Sequence, residues 1–154
     1  MIIDSLLEFA DATALSTASD TASVIFGNVV DTNPDGYNTL QDLGTGTPLY
    51  WVISVDTTVA AVSGTTTFRL SSDSTANLAT SITTHIISPT FATATLVKGY
   101  TWACPLPSGQ IYERYLGVWT TQATATITAG KINSYITADI PNLTQYNDNV
   151  SQNA

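Results

Sequence analysis

Between residues 49 and 56 the chain alternates without a break. Leu49, Trp51, Ile53 and Val55 are apolar, and Tyr50, Val52, Ser54 and Asp56 stand between them. A period of two places the first set on one face of an extended strand and scatters it around a helix. The same period recurs downstream. Phe68 and Leu70 alternate with Thr67, Arg69 and Ser71, and Ala123, Ala125 and Ile127 alternate with threonines. Ile132, Ser134, Ile136 and Ala138 alternate with Asn133, Tyr135, Thr137 and Asp139. Short apolar runs at Val24–Val30, Ile82–Ile87 and Ala92–Val97, and an aromatic stretch from Tyr112 to Thr120, complete the set. Turn formers separate these runs: Asn33-Pro34-Asp35-Gly36, Gly44-Thr45-Gly46, Ser63-Gly64, Ser88-Pro89, Pro105 to Gly109 and Ala129-Gly130. About eight short strands with frequent turns predict an all-β chain, an antiparallel sandwich, jelly roll or barrel.

Composition agrees with that reading and narrows the function. The chain has 27 Thr and 14 Ser, and only 10% of its 154 residues are charged. β-branched threonine suits a pleated surface. The length fits one domain with a core that needs no covalent staple. Net charge is -8, with Lys98, Lys131, Arg69 and Arg114 as the basic residues. Four cations cannot neutralise a phosphate backbone, so no nucleic-acid partner is expected. Nor is an anionic membrane, which the same charge opposes. Cys104 is the single cysteine, so an intrachain disulfide and a thiolate metal cluster are excluded.

The N-terminal residues Ile2, Ile3, Leu6, Leu7 and Ala10 recur at helical spacing around Asp4, Ser5 and Glu8. They predict a short amphipathic helix, or an arm that docks on a neighbour or on the protein's own sheet edge. The charged interruptions and the lack of a basic start argue against a signal peptide or a membrane span. The expected organisation is an arm and connector over residues 1–23, a β domain over 24–141 and a polar, Asn-rich tail over 142–154.

Residues that could carry chemistry are few. His85 is the lone histidine and lies in a strand-like run, with no nucleophile elbow in the sequence. Cys104 has no Lys or Arg near it in sequence to lower its pKa, so a small buried residue is expected. Only Glu8 and Glu113 are glutamates, a poor basis for a glycosidase pair. No enzyme and no cofactor are expected. The loop Asp31, Asn33, Asp35, Gly36, with Asp42 at position twelve, matches the spacing of a calcium loop. Pro34 inside it, Asp in place of Glu at position twelve, and the ordinary turn use of Asn-Pro and Asp-Gly favour a plain surface turn.

The aromatic strand is a candidate interface. Alternation from residue 112 puts Glu113, Tyr115 and Trp119 on one face and Tyr112, Arg114, Leu116 and Val118 on the other. Trp, Tyr and Arg are the residues enriched at binding hot spots. The expected interface residues, toward a partner or a second copy, are therefore Arg114, Tyr115 and Trp119, together with Ile2, Ile3, Leu6, Leu7 and Phe9 of the arm. Arg114 is expected to be buried against a carboxylate or a carbonyl.

The run Asp42-Leu43-Gly44-Thr45-Gly46-Thr47-Pro48-Leu49-Tyr50, followed by Val52 to Asp56, resembles the jelly-roll capsid cement proteins of tailed bacteriophages, the type found on a Bordetella phage. Leu106-Pro107-x-Gly109, Glu113-Arg114-Tyr115-Leu116 and the closing Thr137-Ala138-Asp139-Ile140 resemble the same family in the same order, as does the opening MIIDSLLEFADATAL. The loop from Asp31 to Tyr37 and the tail after Pro141 depart from the pattern. The resemblance implies a non-enzymatic jelly roll that binds the outside of an HK97-like capsid and bridges neighbouring major capsid proteins. It also implies a small homo-oligomer, a dimer or trimer, located on the virion surface. The alternative is a carbohydrate-binding jelly-roll module of a tail fibre or spike, with Trp51, Trp102 and Trp119 as stacking platforms.

Overall fold

The structure is a computed structural model that describes residues 5–15, 23–33, 43, 46–61 and 63–140. Among the described residues nine strands follow one another: β1 (Glu8–Ala14), β2 (Val24–Asp31), β3 (Tyr50–Ala60), β4 (Thr65–Asp73), β5 (Thr83–Ile87), β6 (Phe91–Ala92), β7 (Thr101–Pro105), β8 (Tyr115–Ala123) and β9 (Ala129–Thr137). They form two antiparallel sheets. One has the order β1-β9-β3-β7 and the other β2-β8-β4-β5, with β6 pairing the start of β4. Apart from β4 to β6, which stay in one sheet, successive strands cross between sheets, and the two orders are those of a jelly roll.

The alternation of β3 explains the core. Trp51, Ile53 and Val55 face inward and are buried, where they meet Ile132 and Ile136 of β9 and Phe68, Leu70, Leu116 and Val118 of the other sheet. The Trp51 indole N–H donates to the Ser134 hydroxyl at 2.9 Å, so the one polar atom of that side chain has a partner inside the sandwich. A run of aromatic edges joins the layers on the β7 side. Phe26 meets Phe68, Phe68 meets Phe91, Phe91 meets Trp102, and Trp102 stands edge-on to Trp51 with centroids 5.3 Å apart. On the opposite side β1 and β2 approach closely. Gly27 has φ +76°, and a Cβ there would overlap the Phe9 carbonyl oxygen, so only glycine lets the two sheets meet.

Three sequence expectations change. Residues 5–7 form a single 3-10 turn and Glu8–Ala14 form β1, in place of an amphipathic helix. The register against β9 shifts twice along β1, and Ala12 has φ +43°. Phe9 and Ala10 are consecutive yet both buried, so the two-residue period is lost and a helical spacing imitates it. Ala92–Val97 is largely a 3-10 turn over Thr93–Thr95 rather than a strand. Residues 124–128 form a loop between β8 and β9, with Thr124 at φ +77°, rather than a strand of their own.

Candidate interaction surface

The outward face of the β2-β8-β4-β5 sheet carries most of the residues singled out in β8. Strand pairing builds it row by row. Ile25 of β2 lies opposite Trp119 of β8, Trp119 opposite Arg69 of β4, and Arg69 opposite Ile87 of β5. The Arg69 guanidinium stands over the Trp119 ring, 5.4 Å from its centroid. Two residues along, the row is made of hydroxyls: Ser23 bonds Thr121 at 2.7 Å and Thr67 bonds Thr90 at 3.0 Å. In the other direction Gly117 lies opposite Ser71 and is covered by Leu78.

At the end of this face Asp31, Tyr115 and Asp73 share a row. Arg114 grips Asp31 with two parallel bonds, Nε to Oδ1 at 2.9 Å and Nη2 to Oδ2 at 2.8 Å. Its guanidinium also lies 5.0 Å from the Tyr115 ring centroid. The Arg114 hydrogen bond is the main cause that holds the Asp31 carboxyl below its ordinary range. The expectation of a carboxylate partner for Arg114 is met, and the expectation of burial is corrected. Its side chain is 40% exposed, because β8 begins only at Tyr115 and Arg114 swings across the sheet's end instead of sharing the inner face with Leu116.

Asp73 plays a different part. It is fully buried and accepts bonds from the Thr75 and Thr80 amides at 3.0 and 2.8 Å, from the Ser81 amide at 3.2 Å, and from the Ser74 and Thr75 hydroxyls. Burial pushes its pKa up, but these donors outweigh it and bring the value down to about 2. The carboxylate thereby pins the loop between β4 and β5 onto the sheet.

The remaining candidates are placed as follows. Phe9 is fully buried in the core, where it can offer nothing to a neighbour; Leu7 packs against the core from the edge, and Leu6 is 74% exposed. Ile2 and Ile3 lie outside the described residues, as do Asp35 and Asp42 of the calcium spacing. Asp31 already serves Arg114 and the Asn33 amide, and Asn33 is its neighbour in that turn. Among the described residues no three His, Cys, Asp or Glu side chains cluster as a metal site. His85 stacks on Tyr112 with centroids 4.3 Å apart and meets the Ser72 hydroxyl at 2.7 Å. Ser72 is fully buried and also accepts the Glu113 amide, so its hydroxyl is enclosed rather than offered to a substrate. Cys104 is half-buried in β7, and burial raises its pKa, away from a reactive thiolate.

Sequence reasoning found Trp119 and Tyr115 but passed over Arg69, Ile25 and Ile87, which share a row with Trp119 only once strand register is known. Three side-chain atoms are closed to solvent without a described partner: Arg69 Nε, Trp119 Nε1 and Glu113 Oε2. Two of the three belong to the central pair of this row.

No curated relative matches the chain. A family model described as Bbp16, a name that suggests a Bordetella phage protein, matches residues 9–136, from the first strand to the last. With that match spanning nearly the whole sandwich, the chain belongs to the Bbp16 family.

Proposed function

We propose that this chain is a virion structural protein, a capsid cement protein that binds the outer surface of an HK97-like phage head and bridges neighbouring major capsid proteins. The observation that carries the reading is the family match over residues 9–136, whose name suggests a Bordetella phage. The fold and its surface chemistry support it. A two-sheet β domain presents wide faces on which few charges must be stripped of water at a contact. Many symmetric copies on a shell convert a modest contact into strong attachment. The chain works as a homodimer without cofactor or catalysis, on the outside of the particle. Its net charge of -8 keeps it from adhering to DNA released nearby.

The test is direct. Phage heads purified without the protein are mixed with it, sedimented, and heated. Saturable co-sedimentation and a higher temperature of genome release are expected; neither occurring would overturn the reading. The carbohydrate-binding alternative loses support from the burial pattern. Trp51 is fully buried and Trp102 is packed edge-on against Trp51 and Phe91, which leaves Trp119 as the one of the three on an outward sheet face.

A further inference from the structure

Resting on the cement reading, we propose that the outward row Ile25, Trp119, Arg69 and Ile87 is the surface that docks on the shell, and that Arg69 there receives a carboxylate of the major capsid protein.

The argument begins with charge. The two carboxylates in the strands of this face are committed. Asp31 is held by the Arg114 fork, and Asp73 by five donors of its own loop. Arg69 is the cation in the middle of the sheet, and among the described residues it has no carboxylate partner and no acceptor for Nε. Its charge is therefore uncompensated on a face otherwise built of hydroxyls and apolar groups. An apolar partner laid over it would strip water from a guanidinium and give nothing in return, and a neutral acceptor would return less than a charge. A carboxylate answers the guanidinium with a bidentate pair and removes that cost.

The flanks supply the rest of an interface. Ile87, on the edge strand, is 64% exposed, and Ile25 closes the row on the far side of Trp119. An apolar rim around a Trp–Arg pair is the composition of a binding hot spot, in which the surrounding residues exclude water from the central pair. The pair is also held before docking. The guanidinium lies over the indole and the sheet fixes both backbones, so little side-chain freedom is lost on binding. The same geometry disfavours a sugar. The Trp119 ring has the Arg69 guanidinium over it, so a pyranose finds no free platform on that side.

The experiment compares head binding of the natural chain with Arg69→Gln, Arg69→Lys, Trp119→Thr and Ile87→Thr, using phage heads that lack the protein. Arg69→Gln and Trp119→Thr should weaken binding on the order of 30-fold, and Arg69→Lys, which keeps charge but not the fork, by an intermediate factor. Ile87→Thr, at an exposed position that tolerates threonine, should weaken it several-fold with the melting temperature unchanged, which separates docking from folding. Binding of the natural chain should fall with added salt, and that dependence should flatten in Arg69→Gln. Unchanged head binding in Arg69→Gln and Ile87→Thr overturns the proposal while leaving the cement reading in place. Failure of the natural chain itself to bind heads removes both. Loss of glycan binding in Trp119→Thr, with head binding intact, overturns the proposal in favour of a sugar ligand.

Discussion

Leu78 lies directly on Gly117. Its side chain, fully buried, fills the space a Cβ at position 117 would occupy, with Val29 beside it. The contact holds the loop after β4 against the outside of β8, and Leu78 adopts φ +49° to reach it. For a leucine that conformation is unfavourable, so the packing it permits must outweigh it.

Leu78→Ala should therefore destabilise the domain by about 2 kcal/mol, the low end for a leucine because a loop can partly collapse into the space. Gly117→Val should cost about 1–3 kcal/mol by displacing Leu78. The double variant should lose less than the sum, since each change makes room for the other. Urea unfolding of the four proteins measures this, and strict additivity would mean that the two residues are not coupled.

Acid should loosen the same loop from its other anchor. The Asp73 pKa of about 2 lies below the ordinary 3.8, so the folded state favours the ionised form. The stability this provides is complete above about pH 4 and is lost as pH falls toward 2. Thermal melts from pH 7 to pH 2 should show that loss in the natural chain. In Asp73→Asn the melting temperature should be lower at neutral pH and should vary less over the same acid range.

Much of the fold was legible, and the exceptions have physical causes. The β3 run was readable because one of its faces is wholly core. Its other face is less exposed than alternation suggests: Val52 and Tyr135 are buried there as well. β7 was missed because Thr101–Pro105 is an edge strand, half-buried along its length and ending in a proline. β1 was missed because its bulges put two consecutive side chains inside. The candidate surface was half legible. Trp119 announces itself by type, whereas Arg69 becomes interesting only when register brings it over the indole and charge pairing leaves it without an acid.

Arg114 and Asp31 illustrate a limited effect. The pair is two-pronged but substantially exposed, so Arg114→Ala should leave the melting temperature nearly unchanged. It should instead free the turn that follows Asp31. Amide exchange at Asn33, whose N–H bonds Asp31 Oδ1, should quicken markedly. Millimolar calcium should not raise the melting temperature of the natural chain, because a guanidinium already occupies both Asp31 oxygens.

Inside the sandwich the sensitive bond is that between Trp51 and Ser134. Ser134→Ala removes the acceptor of the Trp51 indole N–H and leaves that donor enclosed by apolar side chains. The expected loss is about 1–3 kcal/mol. Ser134→Thr, which keeps a hydroxyl, should recover part of it. Equal stability of Ser134→Ala and the natural chain in denaturant titration would show that the bond contributes nothing net.

His85 gives the second pH signature, in a separate window. Ser72 Oγ accepts the Glu113 N–H, and its own proton is best used on His85 Nε2, which makes the neutral ring an acceptor at 2.7 Å. Burial lowers the His85 pKa below its ordinary 6.5, in agreement with a neutral ring. Protonation would give Nε2 a hydrogen of its own and oblige the Ser72 hydroxyl to turn away inside a closed space. The unfolded chain takes up that proton more readily than the folded one, so stability is full above pH 6.5 and declines as pH falls below it, well before Asp73 titrates. His85→Gln keeps a hydrogen-bonding side chain without a titrating ring, and its melting temperature should be flat from pH 7 to pH 5 where that of the natural chain slopes downward. Ring proton shifts in the natural chain should place the His85 midpoint below 6.5; a midpoint at or above that value would refute the neutral, accepting ring.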